Sequence, residues 1–241
     1  MADRILYSIK DMTIAHGDRV LCSGISFDIC EGDCIMLCGA NGSGKTTLMK
    51  ALSGISRKGN EMIMIPARIP KVAGFTLKEF VRTSCFNQSD MAGRLSEQME
   101  CSLESALQAL HLYELSNRDI STLSDGEFQK AGIASALVRD ASVILLDEPT
   151  AFLDAENRIA ILKTLRALCG RGTAVIFSTH DLHDGYDVCT KVLAFGADGT
   201  FRSAENEERK AAIESIFFRN STVDSNICLF FKHSIITMEW H

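Results

Sequence analysis

The residues best suited to chemistry are Gly39-Ala40-Asn41-Gly42-Ser43-Gly44-Lys45-Thr46, which read G-x-x-x-x-G-K-T. They follow the apolar run Cys34-Ile35-Met36-Leu37-Cys38 and lead into a helical stretch from about Lys45 to Leu52. Glycines let the backbone curl until successive N–H groups converge on one anion, and the following helix turns its positive end toward the same point. We expect a phosphate-binding loop with nucleotide contacts from Gly39, Asn41, Gly42, Ser43, Gly44, Lys45, Thr46 and Thr47. Lys45 would reach the β- and γ-phosphates, and the Thr46 hydroxyl would ligate Mg²⁺. A glycine-rich turn with a chance Lys-Thr is the competing reading, and strand and helix together weigh against it.

A second apolar run, Val143-Ile144-Leu145-Leu146, ends in Asp147-Glu148. Carboxylates at the C-terminal end of a strand stand where open α/β sheets bind ligands. Asp147 would hold Mg²⁺ and Glu148 would orient the attacking water. Leu123-Ser124-Asp125-Gly126-Glu127 opens a helix to about Val138 with S-x-x-E capping-box spacing, and Gly126 leaves N–H groups open to an anion. Standing alone, that motif reads as an ordinary helix cap. Ser178-Thr179-His180 closes a third short apolar run.

These motifs need a parallel sheet to hold them. Residues 142–146 and 174–178 are short β-branched runs separated by a helical stretch from about Ala155 to Cys169, which implies a βαβ crossover. Residues 5–28 alternate apolar and polar side chains about Gly17-Asp18, an antiparallel hairpin pattern. Arg57-Lys58-Gly59-Asn60 reads as a loop, and Ile63-Met64-Ile65 as a short strand ended by Pro66. Residues 76–115 turn helical: Thr76-Leu77-Lys78-Glu79 is a capping box, and Leu103, Ala106, Leu107 and Leu110 recur at helical spacing. A charged helix over residues 206–217 and an alternating run at 227–231 follow.

Size and charge bound the function. The 241 residues suit one large α/β domain with a helical insertion. The net charge of −6, with no basic stripe, argues against a nucleic-acid partner. No apolar stretch approaches the roughly eighteen residues of a membrane span, and Met1-Ala2-Asp3-Arg4 lacks signal-peptide order, so a soluble cytosolic chain is expected. Nine cysteines scattered singly fit reduced thiols. Cys30, Cys34 and Cys38 lie four apart, but two fall inside the strand before the loop, which favours packing over a metal site.

Taken in order, the phosphate loop, L-S-D-G-E, D-E and S-T-H resemble the ATP-binding subunits of ABC transporters over residues 4–200. The resemblance implies a P-loop NTPase of α/β class, with a RecA-like core, an N-terminal antiparallel β hairpin and a helical signature subdomain. It implies one ATP-binding domain over residues 1–241, with about 76–140 as the helical subdomain and about 204–241 as a C-terminal extension. Two copies would pair head to tail around two ATP molecules. Ser124, Gly126 and Glu127 would then be signature and dimer contacts, Asp154 the D-loop acid, and His180 the switch histidine. Within the family, Phe75-Thr76-Leu77-Lys78-Glu79-Phe80-Val81, Ala92-Gly93-Arg94-Leu95, Thr150-Ala151-Phe152-Leu153-Asp154 and His180-Asp181-Leu182 look like importer ATPases for ferric siderophores, haem and cobalamin. Partners implied are membrane permease subunits on the inner face of the cell membrane and, indirectly, a substrate-binding protein. The alternative is a cytosolic ABC-type ATPase acting as a switch or assembly scaffold.

Three features depart from that pattern. Importer ATPases carry a glutamine near the position of Pro66-Ala67-Arg68, and none occurs between Lys45 and Gln88. The segment after the loop helix is short, so a trimmed antiparallel subdomain is expected and His16, before Gly17, is left to stack on adenine or to serve only as a turn residue. Asp125 puts a carboxylate where a γ-phosphate would dock, which repels unless Asp125 faces solvent or meets a cation.

Overall fold

The computed structural model describes residues 4–56, 61–85 and 95–217. The expected loop at 57–60, Gln88, residues 92–94 and the run at 227–231 lie outside the described residues. Strands β1 (Ile5–His16) and β2 (Arg19–Cys30) pair antiparallel as a separate two-stranded sheet. Alternation turns Tyr7, Ile9, Ile25, Phe27 and Ile29 inward.

The main sheet contains β3 (Cys34–Gly39), β4 (Glu61–Ile65), β5 (Ala141–Leu146), β6 (Ala174–Ser178), β7 (Lys191–Phe195) and β8 (Phe201–Glu205). Its order is β4-β5-β6-β3-β7-β8, with β8 antiparallel to its neighbour and the other pairings parallel. The helices are α1 (Lys45–Gly54), α2 (Leu77–Thr83), α3 (Glu97–Ala109), α4 (Asp125–Val138), α5 (Ala155–Cys169), α6 (Leu182–Val188) and α7 (Glu208–Phe217). Because β5, β6 and β3 are consecutive neighbours, the acids after β5, the histidine after β6 and the loop after β3 emerge side by side.

Strand β3 is buried along its whole length and divides two apolar cores. Cys34, Met36 and Cys38 face the core built with α2 to α5. Ile35 and Leu37 face the core shared with the β1–β2 sheet and α1. Burial pushes the Cys38 thiol up to about 12, which suits a packed thiol and not a metal-binding thiolate. Among the described residues no cluster of His, Cys, Asp and Glu is arranged to hold a metal ion.

Both expected capping boxes form. Thr76 accepts from Glu79 N–H while Glu79 accepts from Thr76 N–H, and Ser124 and Glu127 do the same at the start of α4. Leu103, Ala106, Leu107 and Leu110 are buried as their spacing requires. Strands β7 and β8 and helix α6 were not anticipated. β7 opens on a buried lysine: Lys191 Nζ donates to Asp28 O at 2.8 Å and pairs with Asp33 at 3.2 Å and Glu205 at 2.8 Å. Burial alone would lower its pKa, but bonding to Glu205 and Asp33 outweighs this and raises it. Helix α7 packs on β7 and β8, and its Ile213 is fully buried. No described helix is long and apolar enough to cross a membrane.

Candidate active site

The chain leaves β3 at Gly39 with φ of +152°, and a Cβ there would lie 2.6 Å from Phe195 O, so only glycine fits. The loop then folds over the start of α1. Lys45 Nζ donates to Gly39 O at 2.7 Å and Ala40 O at 3.1 Å, and burial lowers its pKa against the raising effect of Glu148 and Asp147. Ser43 Oγ is buried with no hydrogen-bond partner in the described structure. An orphaned hydroxyl in a glycine-rich loop beside a buried ammonium fits an anion such as a phosphate chain.

A cleft of about 380 Å³ opens over this loop. Asn41, Gly42, Gly44, Lys45, Thr46 and Thr47 line it together with Glu148 and, from the β1–β2 turn, His16 and Arg19. That volume suits a nucleotide. Arg19 belongs to no motif in the sequence, and it reaches the cleft because it pairs directly with His16 in the hairpin register.

Beside the loop, Asp147 is fixed from both sides. Thr46 Oγ1 donates to Asp147 Oδ2 at 2.8 Å, and Ser178 Oγ donates to Asp147 Oδ1 at 2.8 Å. The Ser178 hydroxyl also accepts from Glu148 N–H at 2.8 Å. Ser178 is wholly buried, and it joins Asp147 and Glu148 to the strand that delivers His180. Glu148 has φ of +49° ahead of Pro149, a conformation that costs strain in a non-glycine residue. His180 Nε2 lies 2.6 Å from Glu148 Oε1. The glycine-rich loop, two carboxylates, a hydroxyl and an imidazole therefore converge at the C-terminal ends of the neighbouring strands β5, β6 and β3. Hard oxygen donors at Thr46 and Asp147 fit Mg²⁺.

The remaining expected residues stand outside the cleft. Ser124 and Glu127 cap α4, and Asp154 caps α5 by accepting from Asn157 N–H at 2.8 Å and Asn157 Nδ2 at 3.0 Å. Gly126 is buried against Asn157: a Cβ would fall 2.7 Å from Asn157 Oδ1. That glycine thus has a packing reason within its own chain, which the sequence reading lacked. Arg158 Nη1 donates to Asp181 Oδ2 at 2.8 Å, tying α5 to the residue after His180. Asp125 meets a cation, Lys71, at 2.7 Å.

The family model for ABC transporters matches residues 22–151. This chain belongs to that family. An ABC transporter ATP-binding protein of Halobacterium salinarum is 31% identical over 206 residues, covering 78% of this chain and 88% of the relative. The Nod factor export ATP-binding protein I of Rhizobium meliloti is 26% identical, covering 80% and 62%. The iron(3+)-hydroxamate import ATP-binding protein FhuC of Bacillus subtilis is 29% identical, covering 73% of each. Among solved structures, a metal-chelate type ABC transporter in an inward-facing conformation superposes with a TM-score of 0.74 at 24% identity, covering 86% of this chain and 88% of that one, which supports the fold. As an ABC ATP-binding protein the chain is an ATP-binding P-loop NTPase of a family that hydrolyses ATP.

Proposed function

We propose that this ABC protein is the ATP-hydrolysing subunit of an importer for iron complexes (ferric siderophore or haem) or cobalamin, driving a separate membrane permease. The observation that carries the hydrolytic part is the contact of His180 with Glu148, next to an Asp147 already bonded to the loop's Thr46. The similarity to the hydroxamate import protein supports direction and cargo, while the similarity to the Nod factor export protein keeps export as the outcome the experiment must exclude.

In this reading the loop amides and Lys45 bind the triphosphate, with His16 stacking on the base. Thr46 and Asp147 would hold Mg²⁺, which supplies charge neutralisation on the phosphate oxygens. Glu148 orients a water toward the γ-phosphorus and takes up its proton. His180 donates to the γ-phosphate oxygens as the bond to the β-phosphate oxygen breaks, releasing ADP and phosphate. Ser124, Gly126, Glu127 and Asp154 complete the site from a second copy of the chain. Residues 76–140 act as the helical subdomain that faces the permease, and the protein sits peripherally on the cytoplasmic face of the membrane, with a substrate-binding protein as indirect partner. Replacing Glu148 with Gln is expected to keep ATP binding and trap an ATP-bound dimer; undiminished turnover removes Glu148 from this role.

Ala67 favours a second reading, a cytosolic switch or assembly scaffold, since the glutamine that senses the permease in importers is absent. Affinity purification of the tagged chain from gently solubilised membranes, with and without ATP, separates the two. Recovery of a polytopic permease supports transport and names the system whose cargo to test. Recovery of soluble proteins alone supports the switch.

A further inference from the structure

The segment between β4 and α2, where the importer glutamine is missing, is fastened to the signature helix by one lysine. Lys71 Nζ donates to Asp125 Oδ1 at 2.7 Å and to Leu123 O at 2.8 Å. It also lies 5.5 Å above the centroid of the Phe128 ring, which packs on Phe80 of α2 with centroids 5.0 Å apart. The ammonium therefore has two oxygen acceptors and an aromatic face, all from residues 123–128. The rest of the segment is registered on the same surface. Ile69 Cδ1 fills the notch opposite Gly132, where a Cβ would come within 2.6 Å, and Gly74 N–H donates to Asp119 Oδ2 at 2.8 Å.

This bears directly on Asp125. A bare carboxylate at the start of α4 repels any phosphate approaching that helix end, whereas a carboxylate paired with an ammonium presents a dipole whose field falls off faster. The lysine also holds the turn at Leu123 through a backbone carbonyl, so one side chain sets both the charge and the position of Ser124.

We propose that Lys71 is a positioning residue for the signature motif: it masks Asp125 and holds the turn before α4, so that this helix end accepts the triphosphate carried by a second copy of the chain. The proposal rests on the ATP-sandwich reading above. It also supplies a physical link from the β4–α2 segment to the signature that needs no glutamine.

The test compares wild type, Lys71→Ala, Lys71→Met, Asp125→Gly and the double variant Lys71→Ala/Asp125→Gly. The readouts are the kcat and KM of ATP hydrolysis, ATP-driven self-association by sedimentation in a Glu148→Gln background, and a melting curve for each variant. Lys71→Ala and Lys71→Met are expected to lower kcat and weaken self-association by about tenfold, with nucleotide binding to the monomer within about twofold of wild type. The defect should shrink as ionic strength rises, since screening relieves a repulsion and does not repair a packing fault. With Asp125 already removed, the loss of Lys71 should cost distinctly less than it does in wild type, the remainder being the lost bond to Leu123 O. Wild-type behaviour in both single lysine variants overturns the proposal, as does an equal defect with and without Asp125. A wild-type protein that binds ATP yet neither hydrolyses it nor self-associates overturns the sandwich reading itself, which is distinct from a failure confined to the Lys71 series.

Discussion

Ser178→Ala is the sharpest probe of the site, because the hydroxyl makes two bonds at a position with no solvent exposure. The bond donated to the Asp147 carboxylate contributes about 1.5–3 kcal/mol, and the one accepted from the Glu148 amide about 0.5–1.5 kcal/mol. Asp147 keeps its bond from Thr46, so the carboxylate is not left bare. The expected loss is about 3 kcal/mol, the middle of the summed range for the two bonds. For a chain of this size each kcal/mol moves Tm by about 2–4 °C, so the variant should melt roughly 9 °C lower. Activity should fall further than stability alone explains. The strained Glu148 backbone loses the bond that ties it to Ser178 of β6, and kcat should drop at least tenfold, on the order expected for a misplaced group, with KM within about threefold. Thermal melting and steady-state hydrolysis, both at a temperature where the variant is folded, read these effects. A Tm within about 2 °C of wild type together with unchanged kcat refutes the reasoning.

Other expectations follow from single contacts. Gly39→Ala drives a Cβ into Phe195 O, a backbone atom that cannot yield, so the protein should lose more than about 3 kcal/mol in urea titration and bind no nucleotide by calorimetry. Gly126→Ala should displace Asn157 from Asp154 at a cost of about 1–2 kcal/mol, and an Asn157→Ala background should remove about half of it; additive losses would place the strain elsewhere. Because the Lys191 pKa is raised in the fold, its ion pairs stabilise below the unfolded lysine value of about 10.4 and that stability is lost as pH climbs through the folded value. Lys191→Met should therefore lower the urea midpoint at neutral pH and show a smaller further loss than wild type as the pH is taken above about 10.4. The carboxyls of Asp119, bonded to the Ser121 side chain and the Ser121 and Gly74 amides, and of Glu79, bonded to Thr76, are held below the ordinary range, so the stability they lend is lost as acid takes the pH down through their folded values. Circular dichroism of single Asp119→Asn and Glu79→Gln variants below about pH 4 should show a shallower acid loss than wild type.

What the residues disclosed depended on whether the information was local. The glycine-rich turn into α1, both capping boxes and the α5 helix are written in short spacings, since glycine conformation and helix ends are decided within a few residues. Asp147, Glu148 and His180 were legible as candidates because each follows a run that reads as a strand, and Lys45 and Thr46 because they open the helix after a glycine-rich loop. Their convergence was not, because it follows from the adjacency of β5, β6 and β3, which no spacing encodes. Ser178 stands within a legible motif, but its two hydrogen bonds, to Asp147 and from Glu148, span 31 and 30 residues of chain. β7 was obscured by Lys191, which reads as an exposed charge until Asp33 and Glu205 are brought around it. The clash feared for Asp125 dissolved on a lysine 54 residues upstream, again a pairing that only the fold creates.

Strand β3 serves as a party wall, with alternate side chains belonging to different cores. The glycine-rich loop grows from the end of that wall, so neither compartment can come apart while the loop keeps its shape. Nucleotide should therefore slow amide hydrogen exchange on both sides of the wall, in β1 and β2 and equally in α5, whose residues include many that never approach the ligand. A half-melted chain that still grips ATP has no place in this architecture.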